Sequence, residues 1–217
     1  MYMKKFFKNN SFYLKSVSAI FLINALIYFG IKLIIKDYNI ISTPLDEKIP
    51  FVPGFIYIYM IWYPFLIYSF YVIFKYNKEK YIKLILTTIL SLLVLYIFFI
   101  VFPSEVVRPE VNSFHDITSF VIYMVYKTDT PTCCFPSGHC LLCFILLYNL
   151  LDNNRLPKKF KYPAIIINIL IIISTLLVKQ HVIYDVIGSF VLATINYYFV
   201  VNLKYFDEIK RKMRNQC

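Results

Sequence analysis

The chain has 217 residues, 59% of them hydrophobic and 19% aromatic, with a formal net charge of +11. So apolar a chain lacks the polar surface a soluble domain needs, and the composition points to an integral membrane protein. The positive charge does not read as a nucleic-acid footprint, because no soluble domain or aromatic-studded basic groove carries it; basic loops lying against anionic headgroups account for it.

Crossing about 30 Å of hydrocarbon takes roughly 20 apolar residues. Runs near that length predict helices at about 17–35, 54–74, 84–102, 138–151, 164–178 and 182–201, the fourth and fifth short. The expected fold is all-α, a six-transmembrane-helix bundle, with 1–217 a single integral membrane domain. The first run does not read as a cleavable signal peptide: its apolar stretch is too long, and "IKDYNIISTPLDEK" follows instead of a small-residue cleavage site. Pro50 and Pro53 bracket the start of the second helix, and the aromatics behind them suit the headgroup belt. Between the third and fourth spans lies a long loop, 103–136, whose middle, "VNSFHDITSFVIYMVYK", has an apolar face at helical spacing and predicts a short interfacial helix.

Basic residues set the expected orientation. Lys4, Lys5, Lys8 and Lys15, the cluster Lys75 to Lys83, the cluster Arg155 to Lys161 and the tail from Lys204 to Arg214 all fall on one side; Lys48, Arg108, Lys127 and Lys179 fall on the other. Short basic segments stay in the cytoplasm, so both termini are expected there.

Ionisable groups at the rim of a membrane are costly and are functional candidates by default. Arg108, His139, Lys179, His181 and Asp185 form such a set, all at span ends on the outer side. In "HVIYD" the spacing of four puts His181 and Asp185 on one helix face. There the carboxylate can accept the Nδ1 proton and leave Nε2 nucleophilic; a structural bond at a helix start, or a pair of metal ligands, fits the same spacing. "FPSGH" reads as a helix start, whose free N–H groups, with the Ser137 hydroxyl, can cradle a phosphate. Gly138 would let an anion approach the backbone, and His139 stands in the first turn. The planar fork of Arg108 can take two phosphate oxygens.

Read in order, "RP", "PSGH" and "STLLVKQHVIYD" resemble the three-part signature of the type 2 phosphatidic acid phosphatase superfamily. The resemblance implies a bundle of that kind, with His181 as the nucleophile that takes the phosphoryl group and Asp185 orienting it. It implies that His139 protonates the leaving oxygen, that Arg108, Ser137 and Gly138 hold the phosphate, and that no metal or other cofactor is needed. Two positions depart from the pattern: Val101 stands where the first motif usually has lysine, and Ser174-Thr175 where the third usually has Ser-Arg. Lys179, four residues past Thr175, would lie one turn along the same face of a continuous helix and could restore one charge. The lost Ser-Arg, the basic residue before the histidine and the "IPF" ahead of the second span look more like the inositol phosphorylceramide and sphingomyelin synthase branch, which transfers a phospho-headgroup to a lipid alcohol.

Cys133, Cys134, Cys140 and Cys143 crowd the same segment. Their spacing is not that of paired zinc ligands, a vicinal disulfide would be strained, and Cys217 is expected on the opposite side, so they read as small buried hydrophobes. The expected function is therefore a membrane phosphatase acting on a lipid-linked phosphate at the outer face, in the plasma membrane, with a lipid phosphate substrate and membrane lipids as partners. The alternatives are headgroup transfer, or a non-catalytic lipid-binding protein or transporter with a degraded site.

Overall fold

The computed structural model describes residues 10–111 and 116–203. In chain order its helices are α1 (Ser11–Ile34), the short α2 (Pro44–Glu47) and α3 (Ile56–Met60), α4 (Trp62–Tyr76), α5 (Lys78–Val101), α6 (Ile117–Thr128), α7 (Gly138–Leu151), α8 (Lys158–Leu177) and α9 (Ile183–Val201). Two strands of two residues, β1 (Asn39–Ile40) and β2 (Ser104–Glu105), pair in parallel. A 3-10 turn runs into α3 and α4, so that Pro53–Tyr76 makes one apolar span.

Among the described residues, Ser11–Ile34, Pro53–Tyr76, Lys78–Val101, Lys158–Leu177 and Ile183–Val201 are long and apolar enough to cross a membrane. Helix α7 is apolar but shorter, with 14 residues. Helices α1, α5 and α8 each begin well ahead of the apolar runs that mark them in the sequence. Their extra turns carry lysines such as Lys15, Lys80 and Lys158, which an apolar run leaves out; hydropathy alone therefore places their starts too late. Asn77 caps α5, its Oδ1 accepting from Lys80 N at 3.2 Å.

Helix α9 packs on α7 and α5, α7 also lies on α8, and α1 and α4 flank α5. Leu66, Ile73, Leu84, Leu141, Ile145, Leu146 and Ile171 fill the interior, and Leu22, Leu26, Leu33, Ile97, Val101 and Phe199 stand exposed around the outside. That inversion of surface polarity is what a lipid solvent requires. Between helices, where lipid offers no hydrophobic drive to association, polar contacts add hold: Asn196 donates to Ser91 Oγ at 3.0 Å and Asn168 to the Cys143 carbonyl at 2.7 Å.

The connections at one end of the bundle are knitted together by Ser104. Its carbonyl accepts from Cys133 N at 2.8 Å, and its Oγ accepts from Cys134 N at 3.2 Å and Phe135 N at 2.7 Å. Val106 N donates to the Pro131 carbonyl at 3.0 Å. The segment after α5 thus holds the segment before α7 in register. Helix α6 occupies the loop where an interfacial helix is expected; residues 112–115 of that stretch lie outside the described residues, as do Lys4, Lys5, Lys8 and the tail from Lys204 to Arg214. Ile122 is the buried face of α6, packed with Ile56, Tyr59 and Val178, while Ile117, Phe120 and Met124 are exposed.

The start of α7 fits onto α9 because residue 188 has no side chain. A Cβ on Gly188 would lie 2.7 Å from Phe135 Cε2. Gly188→Ala should therefore push Phe135 away and destabilise the purified protein by about 1–3 kcal/mol, read as a lower melting temperature in detergent; an unchanged melting temperature would mean that this contact does not constrain the fold.

Candidate active site

Helix α8 ends in a turn that sets where the polar groups of "KQHVIYD" go. Lys179 has φ of 54°, its N–H bonds to the Leu176 carbonyl at 3.1 Å, and Gln180 N bonds to the Thr175 carbonyl at 3.0 Å. This is a Schellman C-cap with Lys179 at the position glycine usually takes. The chain then doubles back, and His181 N also bonds to the Thr175 carbonyl at 3.1 Å.

The expectation that Lys179 continues the face of Thr175 on one helix is thereby corrected. The helix stops at Leu177, and the Lys179 Nζ donates instead to the carbonyls of Asp46 at 2.7 Å and Ile49 at 2.5 Å. Thr175 is fully buried, its hydroxyl bonded back to the Ile172 carbonyl and 3.5 Å from Cys140 Sγ. Val101 is 76% exposed on the outside of α5. Neither departing position reaches the site.

His181 and Asp185 do meet. Nδ1 of His181 lies 2.8 Å from Oδ2 of Asp185, which also accepts from Val182 N at 3.2 Å and so caps α9. With the carboxylate on Nδ1, the free lone pair is on Nε2. A second carboxylate serves the same helix: Asp46 Oδ1 accepts from Ile183 N at 2.8 Å and its Oδ2 from Thr43 N at 2.8 Å. Nothing in the sequence around Asp46 marked it as more than loop polarity, because its partner is on the far side of the chain.

The "PSGH" turn is clamped to α9. Ser137 N donates to the Asp185 carbonyl at 3.3 Å, and Ser189 Oγ donates to the Ser137 carbonyl at 2.8 Å. The Ser137 hydroxyl accepts from Cys140 N at 3.2 Å as the N-cap of α7, and the residue is fully buried. Gly138 and His139, one and two positions on, reach a cavity of about 90 Å³ that Arg108, Asp129 and His181 also line. The rings of His139 and His181 are 5.7 Å apart. Arg108 and His181 in addition line a neighbouring cavity of about 380 Å³, together with Lys179, Thr43, Asp46 and Glu47. Of the expected site residues, Arg108, Gly138, His139 and His181 therefore share one cavity; Asp185 and Ser137 support it from behind, and Lys179 borders only the second.

Several residues that sequence reasoning passed over complete the surroundings of His139. Its ring lies against Trp62 and Tyr59, at centroid distances of 4.2 and 4.8 Å. Tyr59 Oη is 3.0 Å from His139 Nε2 and donates to Asp129 Oδ2 at 2.5 Å. The one phenolic proton faces the carboxylate, so the phenolic oxygen accepts from the histidine and places a proton on Nε2. Asp129 Oδ1 accepts from Tyr28 at 3.2 Å, and Lys32 Nζ reaches Tyr28 Oη and Thr130 Oγ1, each at 2.5 Å. Arg108 is fixed by Nη1 on the Asp129 carbonyl at 2.6 Å and by the Tyr126 ring 5.0 Å from its Cζ, while its buried Nε makes no hydrogen bond. The available signal was Lys32, a cation in the last turn of the first span, and Asp129, the one acid between α6 and "CCFPSGH".

Cys133, Cys134, Cys140 and Cys143 are all buried free thiols, as the reading of them as small hydrophobes requires; Cys217 lies outside the described residues. Burial pushes the Cys134 thiol well up. Burial alone would also push the Asp129 carboxyl up, but His139, the Tyr59 bond and Arg108 outweigh it and hold the group below the usual carboxylate range. A carboxyl depressed on folding adds stability above its unfolded value, near 4, and that stability is lost as pH falls through the folded value. Asp129→Asn should therefore flatten the acid arm of a stability profile, measured by melting temperature against pH; an acid arm identical to wild type would show that Asp129 is not the group that titrates.

The model of the PAP2 superfamily matches residues 80–208, from the first turn of α5 past the end of α9. Neither a curated protein nor a solved structure matches the chain. The matched stretch carries Arg108, the "PSGH" turn and "HVIYD", the segments that converge on the cavity. The chain belongs to the PAP2 superfamily, generally phosphatases and phosphotransferases, and its long apolar helices make it a membrane protein.

Proposed function

We infer that the protein removes a phosphate from a lipid-linked phosphate through a phosphohistidine on His181. The observation that carries this reading is the pairing of His181 with the buried Asp185 at 2.8 Å, with His139 and Arg108 on the same cavity wall. In the first step the Nε2 lone pair of His181 attacks phosphorus, the bond from phosphorus to the lipid oxygen breaks, and His139 gives that oxygen a proton. In the second, water attacks the phosphohistidine as His139 takes its proton, and the bond from phosphorus to nitrogen breaks. Arg108 and the backbone N–H groups at Gly138 and His139 hold the phosphate oxygens as charge builds on them. Asp185 fixes the tautomer of His181; Tyr59 and Asp129 fix that of His139.

With α7 counted as a short sixth span, both termini lie in the cytoplasm and the site opens at the extracytoplasmic face of the plasma membrane. The geometry that supports this is the gathering of Asn77, Lys80, Asp152 and Asn153 at the end of the bundle away from the site, where Asn77 bonds Asn153 at 3.2 Å and Lys80 pairs with Asp152. A second reading, transfer of a phospho-headgroup to a lipid alcohol, is favoured by the second cavity meeting the first at Arg108 and His181, which offers room for an acceptor hydroxyl beside the phosphohistidine. Lys179, tied to the loop carbonyls, serves that cavity as a strut.

The deciding experiment measures phosphate release from a panel of lipid phosphates, with and without an added lipid alcohol. His181→Ala and His139→Ala should each lower turnover by about three orders of magnitude while the melting temperature holds. A headgroup-bearing product in place of free phosphate would move the assignment to transfer, and wild-type turnover in His181→Ala would end the phosphohistidine reading.

A further inference from the structure

We propose that Cys134, His181 and Asp185 form a binding site for a divalent cation of the zinc class, and that such an ion shuts the site by taking the nucleophilic histidine. The inhibition rests on the function proposed above; the binding does not.

The donor atoms are already gathered. A thiol sulfur, an imidazole nitrogen and a carboxylate oxygen from these residues all lie within 4.8 Å of one another, and it is the one such group of three among the described residues. They come from three separately anchored segments: the loop held by Ser104, the turn closing α8, and the first turn of α9. All three residues are buried. Tetrahedral zinc, with bonds of about 2.0–2.3 Å, places its donors roughly 3.3–3.7 Å apart, so the group closes on an ion by side-chain adjustment alone.

An unmet acceptor points the same way. Asp185 uses Oδ2 for His181 and Val182, and leaves Oδ1 buried with no hydrogen bond, a costly condition for a carboxylate oxygen. The Cys134 sulfur is engaged only with the Pro131 carbonyl at 3.1 Å, a weak bond that a metal–sulfur bond replaces readily. Sulfur, nitrogen and oxygen together suit zinc or cobalt and not magnesium or calcium, which take oxygen ligands. A thiolate and a carboxylate neutralise the dication, as burial demands; the thiol proton leaves to solvent and no electron moves. Cys134 and His181 line the same small cavity as Arg108 and His139, so the ion arrives by the substrate's route and its fourth position is left to water or a phosphate oxygen. Cys134 takes no part in the phosphoryl-transfer steps, which separates the two properties experimentally.

The test uses the full chain purified in detergent. Cobalt should give a near-ultraviolet thiolate charge-transfer band that is lost in Cys134→Ser. Zinc should suppress phosphate release, a chelator should restore it, and magnesium at equal concentration should do nothing. Cys134→Ser should keep turnover within about threefold of wild type and need at least tenfold more zinc for the same inhibition, the scale on which removing a ligand contact weakens a metal site; Cys134→Ala stands in should the serine variant misfold. No cobalt band, a band that survives in the variant, or equal zinc sensitivity in variant and wild type each overturns the proposal. A chain that shows the Cys134-dependent band yet releases no phosphate upholds the metal site and overturns the phosphatase reading instead.

Discussion

Asp185 is the residue on which the site end of the bundle depends. Its carboxylate takes the His181 Nδ1 and the Val182 N–H, and its carbonyl takes the Ser137 N–H at 3.3 Å and the Ser189 hydroxyl at 2.6 Å. One fully buried residue thereby joins His181, the cap of α9 and the start of α7. The helix geometry makes this possible: residue 185 sits at the third position of α9, where an acidic side chain reaches back to the cap and its own carbonyl is still at the helix edge. A carboxylate so enclosed is expensive unless its partners are in place, so the imidazole, the cap and the neighbouring helix stabilise one another.

Around that anchor the second histidine is held in another way. His139 is wedged between the Trp62 and Tyr59 rings and bonded through Tyr59 to Asp129. Aromatic residues that hydropathy assigns to the membrane interface thus become the walls of a polar chamber. The two histidines have carboxylates of opposite placement, one in direct contact and one across a phenol.

Much of the fold could be read from the chain because the lipid solvent imposes a simple rule: apolar runs of sufficient length are helices. Five of the spans, the helix in the long loop and the pairing of His181 with Asp185 follow from period and spacing. The starts of α1, α5 and α8 did not, since lysine-bearing turns extend past the apolar runs. The role of Lys179 did not either: a C-cap at which the backbone prefers glycine is filled by lysine, so no turn signal marked the end of α8. Lys32 and Asp129 stood out only as isolated charges, and Tyr59 as one aromatic among many, for a different reason. Each acts through a residue distant in sequence, and distance along the chain carries no pattern that composition or periodicity can register.

The bond from Asp46 to the first N–H of α9 joins residues 137 positions apart. Synthesis delivers the N-terminal half first, at about 5–20 residues per second, so the loop ahead of the second span must wait many seconds for the helix it caps. During that interval neither the Ile183 N–H nor the Lys179 ammonium is yet made to engage Asp46 and the loop carbonyls. Assembly of the site end is therefore a closing event that needs α9, and a chain halted before it would leave the chamber unmade.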